Sequence, residues 1–499
     1  MLLQIVSAAI VVFLVYEMYW KRRNLPPGPL PLPIVGNMIS VAREFPGFTV
    51  YKRWQDKYGP IYTYWFGPMP IVTVNDTKLA YEMFVNDGDN YADRAPFMNF
   101  SHDYRGGEFG IIESSGDVWR EQRRFTLHTL RDFGLGKAEM QERILNEAEW
   151  LLDAFEAAAK KGPMDPARNL ERTVASVINL VLFGYRFEDH NVHEFHSLRD
   201  KLDNQNKALS NPLVFILFSS KLIRKYIPYM QKQYDILMLA RDSLYEYFDE
   251  RIEAHKAVID YDSPDTSDYC EAYLKEMHRY TGNTNTPFNH RQFLNVCLDL
   301  WVAGMDTTAM TTNWGVYMLS HNQKILAKMH DELDRVIGSA RLVTMQDKAA
   351  LPYCQAVINE VQRYANIVPQ NLLRRTSRDV VIGGVEIKAN TIISPQISML
   401  MRDPEVFPEP DRFDPERFLN GKGDVINHKS FLPFSLGKRQ CLGEGLARME
   451  LFILFTNIAN RFHIAPADAS KLPSEKRNFA NANKPEPYEV ILTRRNEKS

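Results

Sequence analysis

Apolar and polar positions along this 499-residue chain follow a spacing that changes from segment to segment, and each change predicts an element. The first 20 residues, MLLQIVSAAIVVFLVYEMYW, are apolar almost throughout, with Glu17 as the single ionisable side chain. A helix of that length rises roughly 30 Å, the depth of a bilayer's hydrocarbon layer, so residues 1–20 are expected to form a transmembrane helix. A cleaved leader is the alternative, but no basic stretch precedes the apolar run and no small-residue cut site closes it. Lys21, Arg22 and Arg23 follow, and cations placed there hold the rest of the chain on the cytosolic side. PPGPLPLP, residues 26–33, has five prolines in eight positions, which forbids a helix and favours a stiff extended spacer.

Residues 61–74, IYTYWFGPMPIVTV, carry the β-branched and aromatic bias of two short strands about a Gly-Pro turn, and 380–395, VVIGGVEIKANTIISP, reads similarly. Helical patterning fills most of the remainder: 138–160, 164–183 up to Gly184, an amphipathic 229–259, and a 31-residue run over 289–319. Neither an internal repeat nor a second linker interrupts the chain. The expected architecture is one large, mainly α globule with small β-sheets over 34–499, preceded by an anchor (1–20) and a basic, proline-rich hinge (21–33).

Charge narrows the function classes. Sixty basic against sixty-two acidic side chains leave a net charge of −2, which gives no electrostatic reason to expect nucleic acid. Cys270, Cys297, Cys354 and Cys441 are too sparse for a disulfide framework and lack CxxC spacing, which favours free thiols in a reducing compartment.

One of those cysteines sits in FSLGKRQCLG, residues 434–443, between two glycines and beside two cations, where a structural core cysteine has apolar neighbours. A thiolate is a soft ligand able to hold haem iron, on a loop that approaches the porphyrin closely and hydrogen-bonds the sulfur. Gly437 and Gly443 would permit the approach, Phe434 would shield the sulfur, and Arg439 would reach a propionate. EGLARMELFILF turns helical just beyond, placing Cys441 near a helix N-terminus whose dipole stabilises a thiolate. A glycine-rich turn before a helix is the plainer reading of this loop in isolation.

The pattern F-x-x-G-x-R-x-C-x-G resembles the haem-binding signature of the cytochromes P-450, the haem-thiolate monooxygenases, with every fixed position matched by Phe434, Gly437, Arg439, Cys441 and Gly443. Further segments match in order. In WREQRR, the resemblance makes Trp119 and Arg123 donors to the haem propionates, and in LRRTSRD it makes Arg374 a third, with Arg375 as rival. AGMDTT, residues 303–308, resembles the oxygen-binding motif: Thr307 would hydrogen-bond beside the oxygen site and Asp306 would relay protons, a task for a titratable group linked to solvent. Read alone, those small residues signal close helix packing. NEVQR with PERF supplies Glu360, Arg363 and Arg417, which the resemblance joins in a buried charge network that holds the core.

The resemblance runs from the hinge to about residue 465 and looks most like the microsomal animal branch that handles foreign compounds, fatty acids and steroids. It implies a P-450 fold behind a membrane anchor, haem b ligated through Cys441, and an endoplasmic reticulum location with the catalytic domain in the cytosol. It also implies NADPH-cytochrome P-450 reductase as electron donor, cytochrome b5 as a second donor, and a lipophilic small-molecule substrate. Arg120, Arg124, Lys137, Lys429 and Lys438 are candidates for a basic docking face. The substrate pocket would draw on 95–115, 205–225, the helix before Thr307, 366–373 and a turn near 480, with Phe97, Phe100, Phe215 and Phe218 favouring flat or long-chain molecules. ALSNPLVFILFSSKLI, 208–223, would line an entrance and dip into lipid. An isomerase or dehydratase of lipid peroxides, working without external electrons, is the alternative function, and a non-catalytic haem sensor the third; members of the former kind often lose the acid-threonine pair that this chain keeps.

Overall fold

The computed structural model describes residues 4, 11–16, 19–33, 35–44, 46–95, 100–133, 138–211, 221–282, 286–338, 341–470, 477–479 and 483–495. Most of the expected anchor (1–3, 5–10, 17–18), Lys137, Phe97, Phe215, Phe218, the side chain of Phe100 and the turn near 480 lie outside them. Among the described residues, no helix is long and apolar enough to cross a membrane. The expectation of a single globule meets a chain that divides into two compact units. Residues 1–95, 368–410 and 428–441 form the smaller; 96–367, 411–427 and 442–499 form the larger. Each gathers segments hundreds of residues apart, so no linker composition marks a boundary.

In the smaller unit, Ile61–Phe66 and Met69–Val74 pair antiparallel about the Gly67-Pro68 turn, as the alternation of β-branched and aromatic residues requires. A five-stranded sheet grows from this hairpin in the order Ile61–Phe66, Met69–Val74, Ile392–Pro395, Arg374–Arg375, Asp93–Arg94. Val380–Ile382 and Val385–Ile387 make a separate hairpin through Gly383 and Gly384, both at positive φ. One face of the sheet packs on Ala80, Met83, Phe84 and Tyr91, and this core extends to Leu432 and Leu436 of the cysteine loop.

The larger unit is helical, with two short antiparallel pairs, Phe462–Pro466 with Val490–Arg494 and Arg477–Phe479 with Asn483–Pro485. Its helices start and stop near the sequence boundaries: Ala138–Ala159, Ala167–Phe183 ending on left-handed Gly184, Pro228–Lys256, and the long helix His290–His321. Asn289 caps the long helix by accepting from the Gln292 amide at 2.9 Å. That helix is buried on most sides, by Trp301, Met305 and Trp314 among others, because Ala167–Phe183 and Glu444–Arg461 both pack on it. Small residues make the packing close: a Cβ on Gly304 would lie 2.9 Å from Ile178, and one on Gly315 would lie 2.3 Å from the Phe455 ring.

Candidate functional site

Cys441 is the one exposed cysteine of the four; Cys270, Cys297 and Cys354 are buried. Its amide donates to the Phe434 carbonyl at 2.9 Å, closing the loop between them. Gly437 holds φ +73°, and a Cβ there would sit 1.7 Å from the Phe84 carbonyl oxygen, so this glycine serves the loop's packing on the turn Glu82–Asn86. At Gly443, the first cap of the helix Glu444–Arg461, φ is −88° and, among the described residues beyond its chain neighbours, no atom lies within 4 Å of a built Cβ.

Arg374 is fully buried, whereas Arg375 alternates toward the surface. Register pairs Arg374 with Arg94, also buried, so two guanidinium groups stand opposite each other. Arg374 donates to Ser435 Oγ at 3.1 Å and to the Leu436 carbonyl at 3.0 Å, and packs over the Phe84 ring. Ser435 holds φ +62°, a strained value for a residue with a Cβ, fixed by the bonds from Arg374 and from Asn371 Nδ2 at 2.7 Å. The Arg374 Nε is buried without a hydrogen-bond partner. Burial and the neighbouring Arg94 pull Arg374 down to about 9. A buried cation beside a second cation, with one donor left over, fits a carboxylate, and haem b carries two. Arg439, also buried, donates through Nε to the Ala92 carbonyl and adds a third guanidinium to the smaller unit's interior. Arg94 carries no motif around it, and only strand pairing reveals it.

In the larger unit, Trp119 is buried and Arg123 half-buried on one face of the helix Gly116–Asp132, four residues apart. Thr307 turns its hydroxyl onto the Ala303 carbonyl one turn back, at 2.7 Å. Ala303 is exposed and Thr307 partly so, while Met305, Asp306 and Thr308 on the other sides are buried. Gly304 shows that close packing and an open face coexist in the same motif.

Asp306 is 5% exposed. Its Oδ1 accepts from Arg199 Nη1 at 2.7 Å, and its buried Oδ2 has no partner. Arg199 also faces Asp203 at 2.8 Å and Glu171 at 3.4 Å, three carboxylates about one guanidinium. Burial pushes Asp306 and Glu171 up, with Arg199 opposing both shifts. Asp203 keeps 41% of its side chain exposed, so Arg199 bridges the buried acid to the surface. Nothing in FHSLRDKLD distinguishes this arginine from its neighbours on an amphipathic helix, and sequence reasoning missed it.

The structure brings Glu360, Arg363 and Arg417 together. Arg363 donates to both Glu360 carboxylate oxygens at 2.7 and 2.8 Å, and Arg417 Nε donates to one of them at 3.3 Å. The Asp414 amide adds a bond at 2.9 Å, and Arg363 and Arg417 share the Arg412 carbonyl. Glu360 and Arg363 are wholly inaccessible. Of the described docking cations, Arg120 and Arg124 are exposed in the larger unit and Lys429 and Lys438 in the smaller; Arg120 pairs with Asp117 and Lys438 with Asp89.

Comparison with known proteins matches the family model for cytochrome P450 across residues 26–492. Cytochrome P450 2A5 of Mus musculus is 36% identical over 482 residues, covering 95% of each chain. Cytochrome P450 2D20 of Mesocricetus auratus is 35% identical, covering 95% of this chain and 93% of its own. Cytochrome P450 2B19 of Mus musculus is 34% identical over 499 residues, covering 98% of each. With its exposed cysteine on a glycine-turned loop and its buried, carboxylate-seeking arginines, the chain belongs to the cytochrome P450 family, monooxygenases whose cofactor is a haem held by a cysteine thiolate.

Proposed function

We propose that this enzyme inserts one atom of dioxygen into a lipophilic small molecule, a foreign compound, fatty acid or steroid, with electrons delivered singly from NADPH by a membrane-bound reductase and optionally by cytochrome b5. Dioxygen, two electrons, two protons and the substrate yield hydroxylated product and water. The haem, when bound, supplies oxygen activation, and the thiolate of Cys441 donates electron density to its iron. Trp119, Arg123, Arg374 and Arg439 hold the propionates in this reading, and Glu360, Arg363 and Arg417 keep the core beneath in one geometry.

The observation that carries the proposal is the pairing of a partly open Thr307 hydroxyl with a buried Asp306 directly beside it in the chain. Thr307 presents a hydroxyl where a proton is consumed, and Asp306 holds or yields that proton beside Arg199, which also faces the partly exposed Asp203. A lipid-peroxide isomerase consumes no protons from outside and has no use for this pair. The exposed Leu222, Tyr226, Ile227 and Tyr229 form an apolar surface patch in the larger unit suited to a membrane, which fits an anchor at residues 1–20 and an endoplasmic reticulum location facing the cytosol.

Mass spectrometry of lipid and drug-like panels, incubated with the membrane-inserted protein, reductase and NADPH, tests this. Substrates that gain one oxygen atom only with NADPH support the proposal. Rearranged lipid peroxides formed without NADPH would replace it with the isomerase reading.

A further inference from the structure

The loop that ends at Cys441 begins on a strained residue. Ser435 holds φ +62°, a left-handed value that is unfavourable for a residue with a Cβ and persists only where the surroundings hold it. Its hydroxyl oxygen accepts from Asn371 Nδ2 at 2.7 Å and from Arg374 Nη2 at 3.1 Å, and the next carbonyl, that of Leu436, accepts from Arg374 Nη2 at 3.0 Å. The peptide group preceding Ser435 carries the Phe434 carbonyl, which accepts from the Cys441 amide at 2.9 Å. Rotation about φ of Ser435 turns that peptide plane, so the torsion that Asn371 and Arg374 hold also sets where the Cys441 backbone is anchored. Asn371 is itself held in place. Its Oδ1 accepts from the Leu372 amide at 2.7 Å, which leaves Nδ2 as the end that faces Ser435. It lies at φ +52°, a region that asparagine tolerates better than most residues. The chain just before it is pinned beside the strand Ile392–Pro395: Ser394 Oγ donates to the Gln370 carbonyl at 3.1 Å, and Gln396 Nε2 to the Pro369 carbonyl at 3.3 Å.

We propose that Asn371 is a positioning residue for Cys441: by holding Ser435 in its left-handed conformation, it places the backbone from which the sulfur is presented. The positioning rests on the hydrogen bonds above; its consequence for the cofactor rests on the role given to Cys441 as iron ligand. Arg374 alone is the weaker grip, since its bond to Ser435 is longer and the same nitrogen also serves the Leu436 carbonyl. Without the Asn371 amide, the torsional strain at Ser435 is opposed by that one shared donor, and residues 434–436 relax toward an ordinary φ. The Phe434 carbonyl then turns away from the Cys441 amide, and the sulfur is no longer held within the few tenths of an ångström that a metal ligand needs.

The test uses the full-length, haem-loaded protein and variants that separate the torsion from the bond. Asn371→Gly keeps the positive φ of residue 371 without steric cost and removes the amide. Ser435→Gly removes the strain along with the hydroxyl, whereas Ser435→Ala removes the hydroxyl and keeps the strain. Decay of the red-shifted carbon monoxide band of a thiolate-ligated haem reads retention of the sulfur, and hydrogen exchange over 434–441 reads the loop. Decay should be about tenfold faster in Asn371→Gly and in both Ser435 variants, the factor set by one hydrogen bond at the top of its usual range, with faster exchange over 434–441 in each. Stability should not follow the same order. Ser435→Gly, relieved of strain, should melt near the natural protein and above Ser435→Ala, yet lose the band as fast as Ser435→Ala, a split that a purely structural role does not give. Band decay that follows Tm across the set, or that matches the natural protein in Asn371→Gly, overturns the proposal. If Cys441→Ser keeps the red-shifted band while exchange over 434–441 responds as expected in the other variants, the positioning of the loop stands and the role of Cys441 as ligand fails. Should Ser435→Ala not fold, the two glycine variants decide.

Discussion

Arg199 donates to Asp306 at 2.7 Å in a setting where both side chains are at least 94% buried, so the motif acid of the long helix is held by a cation from a helix a hundred residues earlier. With Glu171 and Asp203 also within 3.4 Å, one positive charge serves three carboxyls. Removing one partner of a buried pair costs about 3–5 kcal/mol. Arg199→Met should lower stability by an amount in that range at pH 7.5. Asp306 already titrates above its ordinary value and would rise further without the cation. A raised carboxyl pKa is harmless below the unfolded value and costly above it, so the deficit should shrink toward pH 4. Urea midpoints across that range check this; a deficit independent of pH would show that lost packing, not charge, is responsible.

Thr307→Ala deletes the hydroxyl that bonds the Ala303 carbonyl. A hydrogen bond of about 1.4 kcal/mol made in the transition state corresponds to a tenfold rate. Product formation is expected to fall about that much, while NADPH use persists and peroxide release rises. Unchanged coupling would remove Thr307 from the proton path.

Glu360→Ala leaves Arg363, wholly buried, without its carboxylate and takes one bond from Arg417. A loss on the order of 3–5 kcal/mol exceeds the margin of many folded proteins. The variant should accumulate poorly and carry little haem, measured by haem content per polypeptide. Normal haem content would make the network dispensable.

Gly437 and Gly443 separate loop packing from cofactor fit. Gly437→Ala meets the Phe84 carbonyl and a left-handed φ, so the loop should be disrupted, with the red-shifted carbon monoxide band of a thiolate-ligated haem lost. Gly443→Ala meets no atom of the described residues beyond its chain neighbours, and as a cap change costs at most about 1 kcal/mol. Its effect should therefore fall on haem affinity far more than on the stability of the haem-free chain. Equal effects on both would tie Gly443 to folding instead.

Charge reversal at Lys438 and Arg124, both exposed, should slow turnover supported by the reductase and spare turnover supported by peroxide. Stopped-flow reduction and peroxide assays read the two separately. An equal loss in both would remove these cations from the docking face.

The cysteine loop, the acid-threonine pair and the three members of the Glu360 network were all legible as residues in the sequence, because each lies in a short motif whose spacing is fixed by local backbone geometry. Helix boundaries were legible for the same reason: Gly184 stops a helix by its left-handed φ wherever it stands in the fold. Arg94 and Arg199 were not, since a buried arginine looks like a solvated one until its partner is known. The packing of Gly437 was not legible either, as its neighbour is a carbonyl 353 residues earlier in the chain.

The sequence by itself determined the class of chemistry, through a cysteine motif and further segments that together resemble one family, and the helical majority of the fold, through periodicity. Only the tertiary structure decided which of Arg374 and Arg375 is buried and which cation holds Asp306. Those choices depend on burial and on pairs distant in sequence, where the cost of an unpartnered charge or donor selects one arrangement that local propensity leaves open.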